Sequence, residues 1–264
     1  MKNITLFLLT SSSVAQMAGA AVVADWKELN PNAAVVPISG ANTDSPVFGD
    51  GTTPNSAQAA WIGGQFGAAG SPESVTLAIG DTLTVSGSLT LTGGTNNSAQ
   101  FRFGAFNSGG QLAASSGLNW SSGLMHVIGS TGDLFQARTD NAFISTGGNA
   151  VDLNGVTTRT GAFDGDSTLP FIFSMQITRH SATTVDVVSL ITGGDGSFSE
   201  EYVEGGHTPA NFTYDSVGLL FGGSSSVEQA TFSGVQYEVT SIPEPSAVFL
   251  SLTGILLGSV RRRR

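Results

Sequence analysis

Carboxylates, imidazoles and indoles are the side chains of this sequence with chemistry to offer, and their spacing limits what they could do. Glycoside cleavage needs two carboxylates across a cleft, about 5 to 5.5 Å apart when configuration is retained. A strand can present such a pair at alternating positions, as in Glu-x-Asp-x-Glu, and no such run occurs here. Glu200, Glu201 and Glu204 come nearest. They follow a glycine-rich turn, their spacing does not keep all three on one strand face, and a solvated loop is the expectation. His126, His180 and His207 lie far apart with no paired metal spacing, so a histidine site would have to be assembled by the fold. No Gly-x-Ser-x-Gly elbow and no phosphate-cradling glycine loop is present. Asp164-Gly165-Asp166 and Asp195-Gly196 offer oxygens of the kind calcium takes, but without full calcium-loop spacing they read as Asp-Gly turns. No catalytic residue, metal ligand or cofactor is expected. Trp61 and Trp120 remain as sugar contacts, because an indole beside glycine or serine turns offers a flat face to a sugar ring. Core packing is the competing role for both.

The elements that would position these groups are strands. From Thr82 to Thr92, Leu83, Val85, Leu89 and Leu91 alternate with Thr and Ser, a period of two that puts one face in a core. Gly87 interrupts the apolar face and predicts a bulge or a close backbone approach. The same alternation returns at Phe101 to Ala105, at Phe171 to Ile177, at Val185, Val187 and Ile191, and at Val235 to Val239. Weaker candidates are Ser74 to Ile79, Leu124 to Ile128, Leu134 to Thr139 and Val217 to Phe221. Glycine pairs at Gly93-Gly94, Gly109-Gly110, Gly147-Gly148, Gly193-Gly194, Gly205-Gly206 and Gly222-Gly223 read as turns between them. Ala21 to about Gly70 is less patterned and is expected to wrap one edge with short strands. No helical apolar period appears between the two termini. The predicted fold is an all-β, antiparallel β-sandwich followed by a C-terminal hydrophobic helix. The run Phe101-Arg102-Phe103-Gly104-Ala105-Phe106-Asn107, the strand Phe173 to Ile177 followed by Val185 to Leu190, and the closing strand Ala230 to Val239 resemble jelly-roll domains of the laminin-G or concanavalin-like type, and the resemblance implies a jelly-roll.

Charge narrows the partners. The sequence has 10 basic and 20 acidic residues. Between Ala21 and Ile242 stand five basic residues against 19 acidic ones, a formal −14. Such a domain repels nucleic acid phosphates and anionic lipid headgroups, so no nucleic acid partner is expected. With no cysteine, disulfide staples and thiolate metal sites are excluded. The surface polarity comes from hydroxyls and amides more than ions, which suits carbohydrate-rich surroundings.

The two ends carry an address. Lys2, the apolar run Ile4 to Leu9 and the small residues Ala18-Gly19-Ala20 form a signal peptide over 1–20, with cleavage after Ala20. The domain spans 21–241. At 242–264, Pro243, Glu244 and Pro245 make an elbow that neither helix nor strand continues. An apolar run of 14 residues from Ala247 to Val260 follows, then Arg261, Arg262, Arg263 and Arg264, which orient the segment with that end cytoplasmic. Together these ends resemble the PEP-CTERM family of bacterial exported proteins. The resemblance implies signal peptidase and exosortase as partners during export, and transient anchoring in the inner membrane of a Gram-negative bacterium. The cell surface or extracellular matrix follows as the destination, in association with exopolysaccharide. The expected function is that of a non-enzymatic matrix or surface protein. A lectin-like carbohydrate-binding module is the first alternative, and a glycosidase or polysaccharide lyase with carboxylates brought together by the fold the second.

Overall fold

A computed structural model of the chain describes residues 19–28, 45–52, 60–93, 100–110, 122–129, 134–138, 150–153, 155–161, 163, 169–193, 196–222 and 227–241. Every regular element among them is a strand: β1 (Ala21–Glu28), β2 (Val47–Gly49), β3 (Ala60–Phe66), β4 (Val75–Thr76), β5 (Thr82–Thr92), β6 (Gln100–Asn107), β7 (Ser122–Gly129), β8 (Leu134–Arg138), β9 (Ala150–Asp152), β10 (Val156–Thr160), β11 (Phe171–Arg179), β12 (Val185–Gly193), β13 (Ser199–His207), β14 (Thr213–Tyr214), β15 (Ser216–Gly222) and β16 (Gln229–Thr240). The predicted elbow, the apolar run and the terminal arginines lie outside the described residues, as does Ala18. Among the described residues no helix is long and apolar enough to cross a membrane.

The strands form two antiparallel layers. The first runs β10-β13-β12-β11-β5-β16, with β2 also on β16; the second runs β3-β15-β6-β7-β8-β9. β1 belongs to both: Ala21 and Val22 pair with β16, whereas Val23 to Glu28 pair with β3. The switch between layers is made at a bulge between Ala24 and Lys27, where Asp25 has φ 52°. Short polar Asp tolerates this left-handed conformation better than most residues, and its carboxylate accepts a hydrogen bond from Gly70 N–H at 2.6 Å.

The layers face each other through aromatic rings. Phe173 of β11 lies 5.4 Å from Phe101 and 5.0 Å from Phe103 of β6, and Phe101 lies 5.7 Å from Phe232 of β16. Alternation produces this core: β11 buries Phe171, Phe173, Met175 and Ile177, and β12 buries Val185, Val187 and Ile191 on one face each. The expected all-β antiparallel sandwich is what the described residues form.

Gly87 does what its position predicts. A Cβ there would stand 2.7 Å from the Phe173 ring, and β16 bulges opposite it, between Ser233 and Gln236, with Gly234 at φ 59°. Two expectations need correction. The stretch before Gly70 does not merely wrap an edge, because β3 sits inside the second layer between β1 and β15. Its Gly63-Gly64 pair obscured the strand. Gly64 is small for packing, since a Cβ would meet Val23 and the buried Trp26 ring within 2.8 Å. Likewise Gly205-Gly206 is no interstrand turn: it lies within β13, where the register against β12 shifts between Val185 and Val187 and Gly206 takes φ 75°.

Candidate functional site

An open pocket of about 340 Å³ lies where β3, β6 and β15 end, lined by Gln65, Glu73, Ser74, Asn107, Thr213 and Asp215 together with Pro72, Gly109 and Gly110. Its wall begins with the turn after β6. Gly109 and Gly110 have φ 66° and 74°, conformations that a side chain disfavours, and this is the glycine pair read as a turn. Asn107 caps it by accepting Gly109 N–H at 2.9 Å, an Asx-type bond.

Asp215 anchors the same turn from the other side. Its Oδ1 accepts Ser108 N–H at 2.7 Å and the Ser216 hydroxyl at 2.9 Å; its Oδ2 accepts Gly110 N–H at 2.9 Å. The main chain of Asp215 also bridges strands, donating to Phe106 O and accepting from Phe66 N–H, each at 2.9 Å. Buried and rigidly held, this carboxylate accepts three hydrogen bonds of the four or so it can take. Across the pocket, Glu73 is exposed and accepts the Tyr237 hydroxyl at 2.6 Å. Burial, then that bond to Glu73, holds the Tyr237 phenol protonated well above its ordinary range. Asn211 accepts Thr213 N–H at 3.0 Å and the Asn107 amide at 3.4 Å. The result is a preformed cup of amide, hydroxyl and carboxylate groups, which can meet the hydroxyls of a small polar ligand.

A second constellation lies in the interior. His126 of β7 stands between the layers, with Nδ1 2.8 Å from Ser189 Oγ of β12 and Nε2 2.7 Å from Glu200 Oε1 of β13. Arg159 of β10 lies 3.7 Å from the other Glu200 oxygen, and its guanidinium sits over the Phe198 ring at 5.2 Å. Serine, histidine and acid are connected in the order of a hydrolytic triad, but that chemistry needs a nucleophile open to substrate. Ser189 and Glu200 are 0 % exposed and His126 1 %. This is a closed polar bridge through the core.

The glutamates therefore differ from their expected loop. Glu200, Glu201 and Glu204 lie on β13, with Glu200 inward and Glu201 outward. Glu204 accepts the Tyr202 hydroxyl at 2.8 Å. His180, on the turn before β12, is exposed 3.3 Å from Asp186. His207 ends β13. Burial lowers its pKa below 6.5, with the nearby Glu204 charge acting in the opposite direction. The neutral form is thus favoured in the folded state, so stability should fall as pH drops below about 6.5 and level off below the depressed folded value. Urea unfolding at pH 7.5 and 5.5 checks this: His207→Gln should show a smaller loss than the parent.

Trp61 enters β3 opposite Leu220, with its side chain outside the described residues; Trp120, Asp164 to Asp166 and Asp195 also lie outside them. Among the described residues no cluster of three or more His, Asp or Glu could hold a metal ion. The pocket acids Glu73 and Asp215 were missed by sequence reasoning, and only the Gly109-Gly110 turn pointed to the neighbourhood.

No family model matches the sequence, and no curated protein matches it. Several solved structures follow a similar chain path. The carbohydrate recognition domain of Emp47p is 10% identical, over 85% of this chain and 96% of that one, with a TM-score of 0.45. Lectin II from Ulex europaeus is 9% identical, over 81% of this chain and 96% of that one, at 0.39. The PL7 alginate lyase AlyA1 from Zobellia galactanivorans is 8% identical, over 83% and 94%, at 0.33. At this identity the likeness is one of chain path alone.

Proposed function

We propose that this protein is an exported, non-enzymatic β-sandwich that is delivered to the cell surface or extracellular matrix and binds carbohydrate through the pocket at the ends of β3, β6 and β15. The observation that carries the binding is the cup held by Asp215 and Asn107, whose polar groups are hydroxyl, amide and carboxylate, set among Pro72, Gly109 and Gly110. Such groups, fixed before the ligand arrives, suit a sugar's hydroxyls and limit the entropy lost on binding. Export and retention are supported by the signal-like N-terminus and by Pro243, Glu244, Pro245, the apolar run and Arg261 to Arg264. Exosortase processing and an exopolysaccharide environment belong to the same reading.

Affinity electrophoresis through gels containing host exopolysaccharide tests it. The parent should be retarded. Asp215→Ala frees the Ser108–Gly110 turn and should abolish retardation, and Gln65→Ala, a smaller change at the rim, should weaken it. No retardation by any polysaccharide would reject the binding role. Two carboxylates lining one pocket also favour a second reading, glycoside cleavage. Release of reducing ends, lost in Glu73→Gln, would put that reading first.

A further inference from the structure

We propose that the pocket selects a sugar carrying a free, protonated amine, a 2-amino-2-deoxyhexose unit, over neutral and anionic sugars, an inference that rests on the carbohydrate-binding reading above. Among the described residues the lining contains two carboxylates, Glu73 and Asp215, and no Lys, Arg or His. Asp215 is satisfied by two main-chain N–H groups and one hydroxyl, all uncharged, so its negative charge is solvated by dipoles and not neutralised by a cation. Glu73 is partnered by the Tyr237 hydroxyl, again an uncharged donor. A carboxylate has about four acceptor positions; the bonds above use three on Asp215, leaving about one on Oδ2, and use one on Glu73, leaving about three. The pocket therefore offers open carboxylate acceptors and no positive charge of its own, in a chain whose formal net charge is −10.

A ligand that completes this site brings donors for those acceptors and a positive charge. An ammonium group supplies three N–H donors and a positive charge, and bonds from a charged donor to a carboxylate are roughly twice as strong as neutral ones. The ring hydroxyls of the same sugar are then served by Gln65, Asn107, Ser74 and Thr213. The Gln65 amide makes one long bond, at 3.5 Å to Gly110 O, and can turn to a ligand at little cost; Asn107 is held by Gly109 N–H at 2.9 Å and offers its Nδ2, 3.4 Å from Asn211, where it stands. A uronate fits worst, since its carboxylate would stand beside two like charges with no cation in the lining. An N-acetylated unit loses the charge and two of the three donors.

Isothermal titration of the full chain in detergent micelles decides this, using a glucosamine tetramer, its fully N-acetylated counterpart, a uronate tetramer and a simple diamine. The glucosamine tetramer should bind about tenfold more tightly than the acetylated one, the size of one charge-assisted hydrogen bond, and the uronate should give no heat. Glu73→Gln keeps an acceptor for Tyr237 and should collapse the ratio between the two tetramers towards one. Equal or tighter binding of the acetylated tetramer, or an unchanged ratio in Glu73→Gln, overturns the amine preference while leaving carbohydrate binding intact. A diamine that binds as well as the glucosamine tetramer overturns the assignment to a sugar. Failure of every saccharide to bind removes the pocket reading and this inference together.

Discussion

Glu200→Ala is expected to lower the free energy of unfolding by about 3–5 kcal/mol, the cost of removing one member of a buried pair and leaving the other without its partner. Glu200 accepts from His126 at 2.7 Å with neither side chain meaningfully exposed. After the substitution, the imidazole nitrogen that faced the carboxylate would point into a hole in the core. Urea unfolding followed by circular dichroism measures the loss, and a change below about 1 kcal/mol would mean that the bridge is not closed to water. A triple replacement, Ser189→Ala with His126→Leu and Glu200→Leu, should recover most of the stability, because apolar groups of similar volume often substitute for a buried polar set with little loss. That contrast separates a specificity device from a stabilising one. A serine-directed phosphonylating reagent should also leave Ser189 unmodified in the folded protein, as no path leads to its hydroxyl.

Phe173→Ala should cost a similar amount, about 3–5 kcal/mol, by a different route. Its ring is the meeting point of both layers, within 5.4 Å of Phe101 and Phe103, and it fills the space that Gly87 leaves open. Truncation loses the transfer of the ring from water and opens a void that stiff neighbouring strands cannot close. For a domain of this size each kcal/mol corresponds to about 2–4 °C in melting temperature, so calorimetry should resolve the shift easily. Phe173→Leu, which retains most of the volume, should cost markedly less.

The core was legible in the sequence because period-two alternation is a local property. β5, β11 and β12 were each readable from a dozen residues, and Gly87 announced the close approach of a neighbour before the neighbour was known. The polar bridge left a fainter trace. Ser189 sits at the vacant step of the stripe Val185, Val187 and Ile191, His126 lies between Leu124 and Ile128, and Glu200 has the parity of Phe198 and Tyr202. Each was a polar residue at an inward position, which is a signal when three occur on strands that come to face one another. Sequence alone does not give that facing, since β7 and β13 lie more than 70 residues apart. The pocket was less visible still. Gln65, Glu73, Asn107 and Asp215 come from four separate segments, and their convergence depends on β3 lying beside β15, a placement hidden by the glycines of β3. Neighbouring glycine and serine turns mark Trp61 and Trp120 in the sequence but do not say which face of a strand an indole takes, and Trp26 is a core residue.

The final strand also has a mechanical meaning. β16 lies between β5 and β1, and its ten residue pairs with β5 run from Gln229 to Thr240. Traction applied along that strand at Thr240 would load these rungs in parallel, as a lap joint is loaded, and not peel them one after another.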